Sequence, residues 1–114
     1  MNIKTNYLKL LILVLFYVLT SNSSGQTLSW ARQIGSTGWD EGTSIAVDSE
    51  GNVYTTGNFA GTVDFDPGAG VFQLTSVGSK DIFISKLDAA GNFVWAKQIG
   101  GNFQQSNAIA LDSS

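Results

Sequence analysis

Six residues occur twice in this chain, 65 positions apart: WARQIG at 30–35 and WAKQIG at 95–100, with Arg32 replaced by Lys97 as the single change. The likeness continues, since WARQIGSTGWDEGTSIAVDS (30–49) matches WAKQIGGNFQQSNAIALDS (95–113) with one residue fewer in the loop. Self-similarity at a long fixed period is the signature of repeat architecture, in which each unit is too small to cover its own faces and stacks on neighbours.

A second, shorter period lies inside the first. VDSEGNVY (47–54) matches LDAAGNFV (87–94) at an offset of 40. In DSEG and DAAG the Asp accepts hydrogen bonds from backbone amides at the start of a turn, and the Gly three residues later takes positive φ. These are the requirements of a β-hairpin closed by a type I turn and a left-handed residue. Asp48 and Asp88 are therefore turn formers and not catalytic carboxylates. Reading outward from the turns predicts strands over 44–47, 53–58, 82–87 and 93–99. IAV, IFI and FVWA are apolar at adjacent positions, as in strands covered on both faces by stacked sheets. Nothing beyond the first 25 residues has sustained helical periodicity, and Gly, Ser and Thr recur too often for long helices. The fold class is all-β, and four antiparallel strands per repeat with glycine-rich links describe a β-propeller blade.

At these residues the chain resembles the SBBP-type β-propeller repeat of exported bacterial proteins. The resemblance is carried by SIAVDSEGNVYTTGNF, by DIFISKLDAAGNFVWAKQIGG and by the GTVDFDPGAG insertion between them. It implies a multi-blade propeller at the cell surface or in the medium, often within a larger protein. It does not imply one activity, because a fold does not fix a function.

The phase of the repeat gives the expected domain organisation. By alignment with the Trp95 strand, 28–34 is a last strand without its blade, the orphan that latches a propeller ring shut. A complete blade follows at 44–99, and 100–114 starts a second. One blade cannot close a ring of about four to eight, so the expectation is an N-terminal piece of a longer protein. A solitary blade buries little apolar surface and is expected to be loosely folded or to aggregate through its open strand edges.

The segment 1–25 reads as a signal peptide with its helix. Lys4 and Lys9 precede or begin the apolar run LLILVLFYVL (10–19), and a small polar zone, TSNSSGQT, follows. The run is shorter than the roughly 20 apolar residues of a membrane span. Cleavage is expected after Gly25, with Ser23 at the minus-three position and Gln26 as the new N-terminus. No Cys is present to carry a lipid anchor. The expected location is secreted or cell-surface, with no transmembrane span after cleavage.

The chain has no Cys and no His, which removes thiol nucleophiles, disulfides, zinc fingers and imidazole bases together. Beyond the leader, four Lys and Arg stand against nine Asp and Glu, a net charge of −5. Such a domain has no electrostatic footprint for nucleic acid or anionic lipid.

Two clusters remain as candidate sites. Asp64 and Asp66, two apart in VDFDPGAG with Gly68 and Gly70 following, are a candidate calcium pair. The third acid and bidentate Glu of a full calcium loop are missing. Strand alternation equally places both acids on a solvated face while Val63 and Phe65 point inward, with a turn at 67–70. Trp39, Asp40 and Glu41 are a candidate ligand-binding loop for sugar or peptide, against a reading in which Trp39 packs over a blade edge. Asp40 and Glu41 correspond to Gln104 and Gln105 in the second copy, so the acids are not needed in every repeat. The expected function is a non-enzymatic scaffold or binding surface without a cofactor. Its expected partners are further blades of the same longer chain and an extracellular protein or glycan. The alternative is a propeller-type carbohydrate-active enzyme whose active site lies in blades beyond residue 114, because glycoside hydrolysis needs only carboxylates.

Overall fold

A computed structural model of the chain describes residues 11–12, 28–101 and 106–112, and their regular structure is all β. In chain order the strands are β1 (Leu11–Ile12), β2 (Arg32–Gln33), β3 (Asp40–Val47), β4 (Val53–Phe59), β5 (Thr62–Asp64), β6 (Gln73–Thr75), β7 (Asp81–Leu87) and β8 (Phe93–Ile99). β3, β4, β7 and β8 form one antiparallel sheet in that order, as the hairpin reading requires. β5 pairs with β6 and β1 with β2 in two small separate sheets.

The two Asp-x-x-Gly turns close the sheet's hairpins in the same way. Gly51 and Gly91 have φ of 85° and 81°, and their amides donate to the carbonyls of Asp48 and Asp88 at 3.0 and 2.9 Å. Each Asp also caps its turn. Asp48 Oδ1 accepts from the amides of Glu50 and Asn52, and Asp88 Oδ1 from those of Ala90 and Asn92, all at 2.9 Å. The bonds that close each turn thus come from residues within the turn itself.

The ladder register assigns side chains to two faces. On one face stand Val53, Phe59, Phe83, Leu87 and Ala96, all buried. The 60–80 insertion folds over them: Val63 and Phe65 are fully buried, Leu74 packs alongside, and Ile34 completes the cluster from the segment before β3. The rings of Phe59, Phe65 and Phe83 meet with centroids 5.0–6.4 Å apart, and such pairs contribute about 0.5–1.5 kcal/mol beyond area burial. Tyr54, Ile82, Ile84, Trp95, Lys97 and Ile99 share the other face, which is covered only in part, and Ile99 is 52% exposed.

Several expectations need correction. β3 starts at Asp40, four residues earlier than expected, because a bulge between Gly42 and Ser44 lets the ladder continue past Thr43. β6 was not anticipated. It pairs over three residues with β5, joined by the Thr62 and Thr75 hydroxyls at 2.8 Å. The expected closing strand over 28–34 is a ladder only at Arg32–Gln33, whose partner is Leu11–Ile12. Of the leader, only Leu11–Ile12 are described, as the two-residue strand β1; the helix expected over 1–25 otherwise lies outside the described residues. Gln104 and Gln105 also lie outside them. The described residues 106–112 contain no strand, although they lie against β3 and β4: Ser106 N donates to Asn58 Oδ1 and Ile109 N to Ser44 Oγ, both at 3.2 Å.

Candidate functional site

β3 and β7 begin alike. Asp40 and Asp81 are each the first residue of a strand, each fully buried, and both stand in register with Phe59 of β4 between them. Each turns its carboxylate back on the loop before it. Asp40 Oδ2 accepts from the amide and hydroxyl of Ser36, at 2.7 and 3.0 Å. Asp81 accepts from the amides of Val77 and Gly78 and from the side-chain amide of Gln98, at 2.9, 3.2 and 2.9 Å. Burial alone would raise the Asp81 pKa. The four donors, counting the Gly101 amide, outweigh it and hold the group below its ordinary value.

Trp39 and Lys80 precede these acids. Trp39 is 39% exposed, and the Lys80 ammonium lies 4.5 Å from its ring centroid, a cation–π contact worth about 0.5–1 kcal/mol at an exposed site. Of the expected loop triad, then, Asp40 faces the core while Trp39 and Glu41 remain outside. The three do not converge on one point. Asp81 and Lys80 were missed by sequence reading. Their signal was an Asp at the head of an apolar run, four residues after a loop amide that needs an acceptor.

Asp64 and Asp66 both serve the turn that follows β5. Asp64 Oδ1 accepts from the amides of Asp66 and Phe72, at 3.0 and 2.8 Å, and Asp66 Oδ1 from Gly68 at 2.8 Å. Asp64 is the last residue of β5 and Asp66 lies in the turn beyond it. Val63 and Phe65 do point inward, as alternation requires. Among the described residues no group of three or more Asp, Glu, His or Cys is arranged to hold a metal ion.

A groove of about 600 Å³ opens beside the Asp48 turn, with Asp48, Glu50, Tyr54, Lys86 and Leu111 on its walls. Cross-strand pairing puts Tyr54 beside Lys86, whose ammonium lies 5.2 Å from the ring centroid. The Tyr54 hydroxyl donates to Asp48 Oδ2 at 3.2 Å. Asn52 leads the donors that hold the Asp48 pKa down. The Tyr54 side chain, with the charges of Asp48 and Glu50 behind it, pushes that of Lys86 up.

The first copy of the repeated phrase contacts the β7–β8 turn through two side chains. Trp30 Nε1 donates to the Ala89 carbonyl at 2.8 Å, and Arg32 Nε to the Gly91 carbonyl at 3.0 Å. The Trp30 ring lies flat against Gly91, where an added Cβ would fall 2.8 Å from Cδ2. Ile34, two residues on, is 1% exposed. Trp30, Arg32 and Ile34 thus act as one row that grips the β7–β8 turn and enters the core.

The comparisons agree with this geometry. The SBBP family model, described as a beta-propeller repeat, matches residues 29–58, which run from the Trp30 row through β3 and most of β4. A WD repeat-containing protein of Acanthamoeba polyphaga mimivirus is 29% identical over 106 residues, covering 80% of the chain. The chain spans 8% of that relative's length. No solved structure matches.

Proposed function

We propose that this chain is an exported β-propeller repeat module that serves as a non-enzymatic scaffold or binding surface, combining with further blades of a longer chain. One observation carries the reading: the four-stranded sheet has one face closed by its own insertion and the Trp30 row, and an opposite face that leaves Ile99 half exposed. A twisted sheet whose second face is covered only in part is a unit made to be stacked. The scaffold role is supported by Asp40, Asp48, Asp64, Asp66, Asp81 and Asp88, whose carboxylates cap turns and loops.

Export is tested by fusing residues 1–25 to a reporter active only outside the cytoplasm. Activity is expected, and retention of an inactive fusion would remove the exported part of the reading. The non-enzymatic part is tested by assaying the full chain against a panel of chromogenic glycosides. Turnover abolished by one carboxylate substitution would replace scaffold with hydrolase.

A further inference from the structure

Building on the repeat-module reading, we infer that Trp95, Lys97 and Ile99 form a latch for the Asp-x-x-Gly turn of another four-stranded repeat. The occupant is argued from the chain itself. Trp30, Arg32 and Ile34 have the same spacing and nearly the same chemistry, and they are already seated on such a turn through the Ala89 and Gly91 carbonyls.

The second row presents the same groups, and among the described residues no turn is seated on it. Trp95 and Ile99 stand on the less covered face of β8 in the alternation of Trp30 and Ile34. Ile99 is 52% exposed where Ile34 is 1% exposed. Tyr54 supports the Trp95 ring from the neighbouring strands, at a centroid distance of 6.2 Å. Lys97 is exposed, and its ammonium can donate to a turn carbonyl as Arg32 Nε does. The indole N–H of Trp95 supplies the second donor. Residues 106–112 meanwhile bond to β3 and β4 on the same face, through Ser106, Ile109 and the Thr43 hydroxyl, and Leu111 reaches the groove beside Lys86. The hydrogen bonds of 106–112 thus fall on the β3–β4 half of the face, and Trp95, Lys97 and Ile99 stand on the β8 half.

The latch would recognise its partner through two carbonyls of a turn closed by a positive-φ glycine, where no Cβ obstructs the indole. Any neighbour with a side chain at that glycine would be rejected by the ring. The row would therefore select for repeats of its own kind.

Gly35 and Gly100 end the two phrases at equivalent positions, which gives a direct experiment. In a tandem chain, residues 36–112 are spliced again after Gly100 of the full chain, so that Trp95 stands before a second blade as Trp30 stands before the first. Hydrogen exchange of the Trp95 indole and denaturant unfolding are measured in the tandem and in the single chain. The expected result is indole exchange slowed about tenfold in the tandem, the factor for one hydrogen bond of ordinary net strength. Trp95→Phe should lower the unfolding midpoint of the tandem and leave that of the single chain almost unchanged. If the two blades unfold together but the Trp95 indole is unprotected and Trp95→Phe is silent, the latch is overturned while the repeat-module reading stands. If the two blades unfold independently, both fall.

Discussion

Asp40 and Asp81 stand on either side of Phe59 in one sheet, three strands abreast, and each fully buried carboxylate holds the loop that leads into its own strand. An acid is a poor choice for a core unless amides surround it, because desolvation opposes its charge. Here the backbone amides of Ser36, Val77 and Gly78 donate to the two carboxylates. The acids thereby fix where each loop ends and each strand begins.

Asp81→Ala should accordingly destabilise the fold more than Asp40→Ala. The first removes the acceptor for the Val77 and Gly78 amides and one of two for Gln98 Nε2, which also donates to the Thr75 carbonyl; the second removes one for Ser36 alone. Each buried donor left without a partner costs about 1–3 kcal/mol. Urea unfolding of both variants should show Asp81→Ala with the lower midpoint, and equal midpoints would mean that the loops find other acceptors.

Acid should weaken the fold through the same kind of group. Asp48, Asp81 and Asp88 all have pKa values held below 3.8: Asp48 first by Asn52, Asp81 by loop amides and Gln98 against the opposing effect of its burial, and Asp88 first by the Asn92 amide. In the unfolded chain each takes up a proton at higher pH than in the folded one. The unfolded state then binds more protons, and stability falls as pH falls. The contribution is complete above the ordinary carboxylate pKa and is lost as pH drops through the folded values. Unfolding midpoints should be flat with respect to these groups from pH 7 to 5 and decline below pH 4. Asp88→Asn, which keeps an acceptor without a titrating proton, should make that decline shallower.

The parts of the fold that were legible in the sequence are those encoded within a few residues. Asp48 to Gly51 and Asp88 to Gly91 specify their turns by themselves, so the hairpins and the order of the main sheet follow from reading alone. Val63 and Phe65 were legible through alternation. β6 was not, because QLT pairs for only three residues and is held by the Thr62–Thr75 contact and by the core beneath. Asp40 resembled an exposed loop acid beside Trp39, and nothing local distinguishes it from Glu41. Its burial depends on which face of β3 the Thr43 bulge turns inward. The alternation of Trp95, Lys97 and Ile99 was also plain, yet alternation does not say which face the same chain covers. The covered one carries Ala96 and Phe93.

Calcium should leave the stability of the chain unchanged. A calcium site needs about six to eight oxygens, while Asp64 Oδ1 and Asp66 Oδ1 already accept backbone amides within their own turn. Ligating a cation would require those oxygens to give up donors that set the turn. Thermal unfolding with and without millimolar calcium is expected to coincide. A rise in midpoint that Asp64→Asn abolishes would show that the turn rearranges around the ion.

Gly91→Ala should separate the latch from the turn that it grips. The substitution meets two penalties: φ of 81°, which costs a residue with a Cβ about 1–2 kcal/mol, and the Trp30 ring 2.8 Å from the added atom. Gly61→Ala meets only the first, since φ there is 78° and nothing lies within 4 Å of the new Cβ. Both variants should lose stability, Gly91→Ala by more. The Gly91 change should also push the indole off the turn, lengthening or breaking the bond from Trp30 Nε1 to the Ala89 carbonyl. Hydrogen exchange at that indole is the discriminating measurement: it should accelerate in Gly91→Ala and stay near the wild-type rate in Gly61→Ala under strongly folding conditions. Equal acceleration in the two would mean that Trp30 responds to global stability alone, and that the glycine matters to the turn without mattering to the row that reads it.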